Sequence, residues 1–400
     1  MDAGGTIRMN ALDGVRVLDL SRMVAGGVAG MQLADFGADV IKVEQPRVGD
    51  PLRQWTTGGR AFWWKVYARN KQFITLNLQS PEGRDLLLQI LPRFDVLIES
   101  FVPGTLERLL LGPETLHARH PGLVMLRISG WGQTGVGAAR PGLGTLVEAA
   151  SGFAAMNGEP DGAPIVPSFP MADMVSGLYA VNATMFALYN RDVHGGSGQV
   201  IDVSLFESLF SLLGPLPAEY AALGTTRGRN GSRSKNAGPR GCCATRDGGW
   251  IAVSGSTPKM AERILRAYGL EDLLADPRFA TNEARVRHAL ELDAAVCEAI
   301  GTRTLAENLA IIELHKLTAG HVGTIADIEN DPHWRERLLT VDVPDAEQTV
   351  RMHNVTPRLS STPGQIKWPG GTLGQDNERV YGGLGVSQEA LSGLVSRGVI

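Results

Sequence analysis

One aspartate at the head of an apolar run carries the strongest chemical suggestion in this 400-residue chain. In SFPMADMVSGLYAVNATMFAL (168–188), Val175, Leu178, Tyr179, Val181, Met185 and Phe186 recur at helical spacing, and Asp173 is the carboxylate at their start. Pro170 and Gly162 mark a loop feeding that helix, which puts Asp173 in the first turn. There the free N–H groups and the positive end of the helix dipole favour an anion. A carboxylate so placed either caps the helix or acts as a nucleophile, and the stretch alone leaves both readings open.

Other reactive side chains offer less. His117 and His120 lie three apart in LHARHPG without acidic or cysteine partners, and His315 and His321 flank a loop, so all four read as surface or capping residues. Three cysteines (Cys242, Cys243, Cys297) make neither a disulfide framework nor a metal set, which predicts no resident metal and a reducing compartment. Gly26, Gly27 and Gly30 follow the first strand pattern, and Glu44 ends the next at the spacing of a ribose-binding acid. The G-x-G-x-x-G register fails, because Val28 stands two residues after Gly26, and this argues against a nicotinamide enzyme. Small residues there still leave room for an adenine nucleotide of another kind. Arg22, Lys42, Arg69, Lys71 and Arg108 sit near strand ends, and together beyond one sheet edge they would hold a polyanion.

The elements that must position these residues alternate. VRVLDL (15–20), ADVIKVE (38–44), FITLNL (73–78), DVLIES (95–100) and LVMLRIS (123–129) read as buried strands. Between them MQLADFG reads as a helix closed by Gly37, and SPEGRDLLLQILPRF as one opened by Pro81. Strand, helix, strand within about thirty residues predicts parallel pairing and an open, Rossmann-like α/β sheet, with ligands beyond the strands' carboxyl ends. GTTRGRNGSRSKNAGPRG (224–241) lacks apolar periodicity and carries five basic residues, so it reads as a solvated linker or a phosphate clamp. CCATRDGGWIAVSG predicts a hairpin turning at Asp247–Gly249, and three helical patterns follow. The expected layout is a large α/β domain over 1–223, a linker over 224–241, a smaller α+β domain over 242–328, and a return linker with a C-terminal helix over 329–400.

Net charge of −4 and 43% hydrophobic residues exclude a polybasic nucleic-acid or membrane binder. MDAGGTIRMNALDG lacks a signal peptide's apolar core, and no run is long enough to cross a membrane; the expected location is cytoplasmic.

Longer blocks carry a resemblance. LDGVRVLDLSRMVAGGVAG, LADFGADVIKVEQP, RNKQFITLNLQSPEGRDLL, DVLIESFVPGTLERLLLGPETL, RISGWGQTG, ADMVSGLYA and GGSGQVIDVSLFESL resemble the family III CoA-transferases, and DPRFATNEARV, PGQIKWPGG and the final RGVI continue the match. The resemblance implies an interlocked-ring homodimer of large and small domains joined by long linkers. It implies that Asp173 is a nucleophile that passes through an acyl anhydride and an aspartyl-CoA thioester, with acyl-CoA as substrate and no permanently bound cofactor. For CoA contacts it points to Arg22, Val24 and Ala25 after the first strand, and to Leu76, Phe101 and Arg108 near the adenine and phosphates. Gln45, Gln79 and Ser100 stand where family members can carry Arg, Lys and Asn. The Trp-rich RAFWWKVYARNK looks like members that use dicarboxylates such as succinyl-CoA.

Two departures stand out. SRSKNAGPRG fills the place of the four-glycine loop of oxalate-linked members, and LGTLVEAASG lacks the Tyr/Phe–Asp pair many transferases show. The α-methylacyl-CoA racemase branch shares GWGQTG but needs a general-base histidine in a GHD motif. This chain has Gly142–Leu143–Gly144 there, and leucine cannot move a proton. A non-catalytic CoA-binding protein is the remaining alternative.

Overall fold

The computed structural model describes residues 10–346 and 348–400. The start of the segment read for a signal peptide, residues 1–9, lies outside them. By internal contacts the chain divides into two units, one of 1–153, 166–215 and 338–400, the other of 154–165 and 216–337.

The first unit is built on six parallel strands: β1 (Arg16–Asp19), β2 (Asp39–Glu44), β3 (Gln72–Thr75), β4 (Val96–Glu99), β5 (Val124–Ser129) and β6 (Val200–Ser204), in the order 3-2-1-4-5-6. The order reverses between β1 and β4, which opens a crevice at their carboxyl ends. Both sheet faces are covered, so the strands are near-continuous Val, Ile and Leu. One face carries the helix over Pro81–Ile90 and the C-terminal segment; the other carries α1 (Ala25–Asp35) and a long helix over Met171–His194. In chain order the helices after α1 are α2 (Phe62–Tyr67), α3 (Pro81–Ile90), α4 (Thr105–Arg108), α5 (Pro113–Arg119), α6 (Gly144–Ala150), α7 (Phe153–Met156), that long helix α8, and α9 (Leu205–Phe210).

The first βα turn departs from expectation. SRMVAGGVAG is no loop before a helix; α1 begins at Ala25 and takes in all three glycines, every residue through Asp35 except Gln32 being buried. Bare backbone is needed there for packing: a Cβ on Gly30 would stand 2.8 Å from Lys71 Nζ and 2.9 Å from Asp19 Oδ2. The room attributed to a nucleotide is filled by the protein itself.

The return segment closes the β3 edge, which would otherwise offer unpaired backbone. Phe73 N–H donates to Asp376 Oδ2 (2.8 Å) and Thr75 N–H to Asn377 Oδ1 (2.8 Å), while Tyr381 O–H donates to Thr75 O (2.8 Å). It is less extended than its prolines imply, holding the antiparallel pair Thr340–Val343 and Val350–His353 and a helix over Asn377–Gly383.

In the second unit Arg240–Ala244 and Trp250–Ser254 form the expected hairpin, extended by Ala319–His321 and packed against helices over 258–267, 289–301 and 305–315. This packing corrects the cysteine reading. Cys243, in the hairpin, is disulfide-bonded to Cys297, 54 residues on, and Cys242 is free. Only the folded core brings the two together, and the ground for a reducing compartment goes with it. Arg227 pairs with Glu219, Arg229 donates to Glu159 O, and Arg233 lies 3.6 Å from Glu159 Oε2, so the basic stretch is tied to its own unit.

Candidate active site

Asp173 is the third residue of α8, and Pro170 before the helix makes no side-chain cap. The carboxylate is therefore not an N-cap. It is half-buried, and three neighbours define it. The backbone N–H groups of Asp173 itself and of Ala25, first residue of α1, act on the carboxylate and favour its charged form. Gly144, first residue of α6, lies so close that a Cβ there would collide with Asp173 Oδ2. Glu148, one turn further along α6 and buried, accepts from Ala172 N–H (3.1 Å). Burial first, and the Glu148 charge second, outweigh the amides and push the Asp173 carboxyl up to about 6. No cation pairs with either carboxylate among the described residues. The result is an ionisable oxygen more basic than an ordinary aspartate, beside backbone donors suited to a developing oxyanion.

Helix packing sets this arrangement. Gly177, one turn after Asp173, faces α1, where a Cβ would stand 2.7 Å from Val28 and 2.9 Å from Ala25 O. The bare backbone lets α8 lie against α1. Met174 packs on a cluster of Val24, Val28, Leu52, Trp64 and Phe73, with Trp63 and Tyr67 stacked at its rim at 5.5 Å. The Trp-rich stretch thus flanks the residue after Asp173.

A cleft of about 340 Å³ opens beyond the carboxyl ends of β1, β2, β3 and β4, at the strand-order reversal. It is lined by Arg22, Gln45, Leu76, Gln79, Ser100 and Phe101, six of the nine positions suggested for CoA. Arg22 N–H donates to Ser100 Oγ (2.8 Å), and its guanidinium stands 5.6 Å from the Phe101 ring centre. Arg108 is exposed on α4 and donates to Thr105 Oγ1 (2.8 Å), Thr105 being on the cleft wall. Val24 and Ala25 are buried outside it; Ala25 belongs to the Asp173 site. The turn Ser21–Val24 therefore joins cleft and carboxylate.

The basic edge group is mostly not available to an anion. Lys42 Nζ is 3.1 Å from Asp50 Oδ2 and bonds Ser21 O; Lys71 Nζ is 2.9 Å from Asp19 Oδ2; Arg69 pairs with Asp35 at 2.7 Å. All three are buried, because the tightly packed strands and the helices over them turn these side chains inward. Burial opposes the charge on Lys42, but Asp19 and Asp50 outweigh it and hold the ammonium above its usual range. Of the five, Arg22 and Arg108 remain exposed. His117 and His120 are structural: His117 Nε2 lies 3.0 Å from Leu123 O and His120 Nε2 3.0 Å from Phe94 O.

Glu148 and the glycine contact at Gly144 escaped sequence reasoning. The signal was present, since the carboxylate in LGTLVEAASG is one turn after the glycine on the same helix face, but nothing local says that Asp173 lies opposite.

Comparison with known proteins gives the family. The family model for CoA-transferase family III matches residues 12–377. A succinyl-CoA–D-citramalate CoA-transferase from Chloroflexus aurantiacus is 38% identical over 97% of this chain and 98% of its own. A succinate–glutarate CoA-transferase from Agrobacterium fabrum is 34% identical over 94% and 96%. The crystal structure of a CaiB/BaiF family protein from Brucella suis superposes with a TM-score of 0.83 at 31% identity, over 94% of this chain and 99% of that one. A match of this length, on a fold with its cleft at the strand reversal, makes the chain a member of CoA-transferase family III and an enzyme of acyl-CoA substrates.

Proposed function

We propose that the enzyme moves CoA from succinyl-CoA to a second short dicarboxylic acid, with Asp173 as the covalent nucleophile. The observation that carries this is the Asp173 carboxylate itself: half-buried, without a cation, held against Gly144 and facing backbone amides. Asp173 oxygen attacks the thioester carbonyl carbon, the C–S bond breaks, and CoA leaves as thiolate, giving a mixed anhydride. The thiolate attacks the aspartyl carbonyl carbon and expels succinate, leaving an aspartyl-CoA thioester. The acceptor carboxylate attacks that thioester and displaces CoA thiolate. The thiolate then attacks the acceptor's carbonyl and frees Asp173. No proton is consumed overall, and the thioester lost by succinate is regained by the acceptor through activated aspartyl intermediates, so no ATP is needed.

Arg22, Gln45, Leu76, Gln79, Ser100 and Phe101 are the walls on which CoA rests in this reading, with Arg108 at the rim. Asp50 holds the joining turn: it accepts from Met23 N–H (3.1 Å), a non-glycine residue at φ +62°. The choice of donor is supported by the relatives, whose names specify succinyl-CoA or succinate with citramalate and glutarate. Two copies form an interlocked homodimer of large and small domains, the 224–241 stretch and the return segment being the linkers. Unpartnered apolar residues along α8, such as Phe186 and Val193, support that pairing. The racemase reading finds no support, since Leu143, at the head of α6, offers no base.

Incubation with a panel of acyl-CoA thioesters followed by intact-protein mass spectrometry tests the proposal. Succinyl-CoA should leave a CoA-sized adduct on Asp173 that hydroxylamine removes, and Asp173→Ala should abolish adduct and exchange alike. Full exchange by Asp173→Ala would end the nucleophile assignment.

A further inference from the structure

A buried carboxylate normally has a cation or several donors around it, because water no longer solvates it. Glu148 is 1% exposed, takes one backbone N–H, from Ala172 at 3.1 Å, and has a second carboxylate as its charged neighbour. The two acids flank one point: a Cβ on Gly144 would touch Asp173 Oδ2 and lie 3.9 Å from Glu148 Oε1. Gly144 and Glu148 are four residues apart on α6 and so share the face turned to α8.

We propose that Glu148 is a positioning residue for the nucleophile, an acid that anchors the first turn of α8 and drives the neighbouring carboxylate toward its acylated, uncharged forms. The inference rests on the aspartyl mechanism proposed above. Its logic lies in the first adduct. When Asp173 oxygen adds to the thioester, the tetrahedral adduct expels either thiolate or aspartate, and the weaker base leaves more readily. An ordinary aspartate is several pKa units the weaker base, so the adduct mostly reverts. A negative neighbour makes Asp173 the more basic, the better nucleophile and the poorer leaving group. Once Asp173 is an anhydride or a thioester its charge is gone, and so is the repulsion from Glu148. The like-charge contact therefore burdens free enzyme and is released on acylation.

The surrounding charges leave this role to Glu148. On the elements packed about the pair, Asp35 of α1 is bound by Arg69, and Arg127 of β5 by Glu99 and Glu107. Asp202 of β6 accepts from Gln133 N–H, Glu207 of α9 is exposed, and Arg191, Asp192 and His194 lie at the far end of α8. Glu148 is the charged group that acts on Asp173.

Glu148→Gln separates charge from anchoring, since the amide oxygen can still accept from Ala172 N–H. Two readouts follow on the full-length enzyme with succinyl-CoA. The acid limb of kcat/KM should move to lower pH by about half a unit or more, and the fraction of enzyme trapped as aspartyl-CoA should fall several-fold, on the order of tenfold per pKa unit lost. A pH limb and an adduct fraction both within about twofold (0.3 pKa unit) of wild type would reduce Glu148 to a structural residue. Should the glutamine variant not fold, Glu148→Asp keeps the charge; retention of the wild-type acid limb with a lower kcat supports the proposal, and loss of the limb overturns it. Absence of any adduct in the wild-type protein refutes the aspartyl mechanism itself, whereas a wild-type adduct indifferent to Glu148→Gln refutes this inference alone.

Discussion

At the scale of single residues, the site works by holding a carboxylate where it is uncomfortable. Asp173 has a folded-state pKa raised to about 6 from an unfolded value near 3.8. The folded protein thus binds more protons than the unfolded chain between these values, and stability falls as pH rises through that window. Replacing the acid should remove the cost: Asp173→Ala is expected to be more stable than wild type by roughly 1–2 kcal/mol at pH 7, discounted for partial exposure, and little changed at pH 4. Denaturant melts at the two pH values measure this. In activity the sign is reversed, because the proposed nucleophile must be ionised; kcat/KM should drop about tenfold per unit below pH 6. Gly144 sets the other limit. Gly144→Ala drives a methyl into Asp173 Oδ2, and exchange should fall on the order of a hundredfold with little change in thermal midpoint.

At the scale of elements, two contacts decide where the oxygen points. The first is α1 against α8, made close by Gly177. Gly177→Ala should push the helices apart, costing about 1–3 kcal/mol, and should lower kcat more than it raises KM for the thioester. The second is the turn Ser21–Val24, held by Asp50 through Met23 N–H and by Lys42 through Ser21 O. Asp50→Ala leaves Lys42 with the longer ion pair to Asp19, at 3.7 Å, and frees the strained Met23. A loss of about 3 kcal/mol is expected on breaking such a buried pair, with a rise in KM for acyl-CoA because Arg22 is no longer fixed beside Ser100.

At the scale of the whole molecule, α8 serves two ends. Its buried face seats Asp173, Gly177 and Ala180 against the sheet and α1, and its outer face exposes Leu178, Phe186, Tyr189 and Val193. Apolar residues spaced along one helix side are a poor surface for a monomer. The double variant Leu178→Glu, Phe186→Glu should shift sedimentation toward a lighter species, and an unchanged mass would exclude this face from the proposed dimer.

Sequence alone determined the parallel sheet, since strand and helix periodicities alternate regularly, and it determined that Asp173 opens a helix, since proline and the apolar spacing fix the start. The family resemblance carried by its motifs also pointed to six residues that line one cleft. What it left to the tertiary structure are pairings across long separations. Lys42, Arg69 and Lys71 read as part of a polyanion site at the sheet edge until buried acids claimed them. Cys243 and Cys297 read as unrelated until the hairpin met its helix, and Glu148 read as one more helix residue until α6 lay across α8. Local spacing records which face a residue takes, but what stands opposite depends on how the helices and strands pack, and at this site the charge on Asp173 is set by what stands opposite.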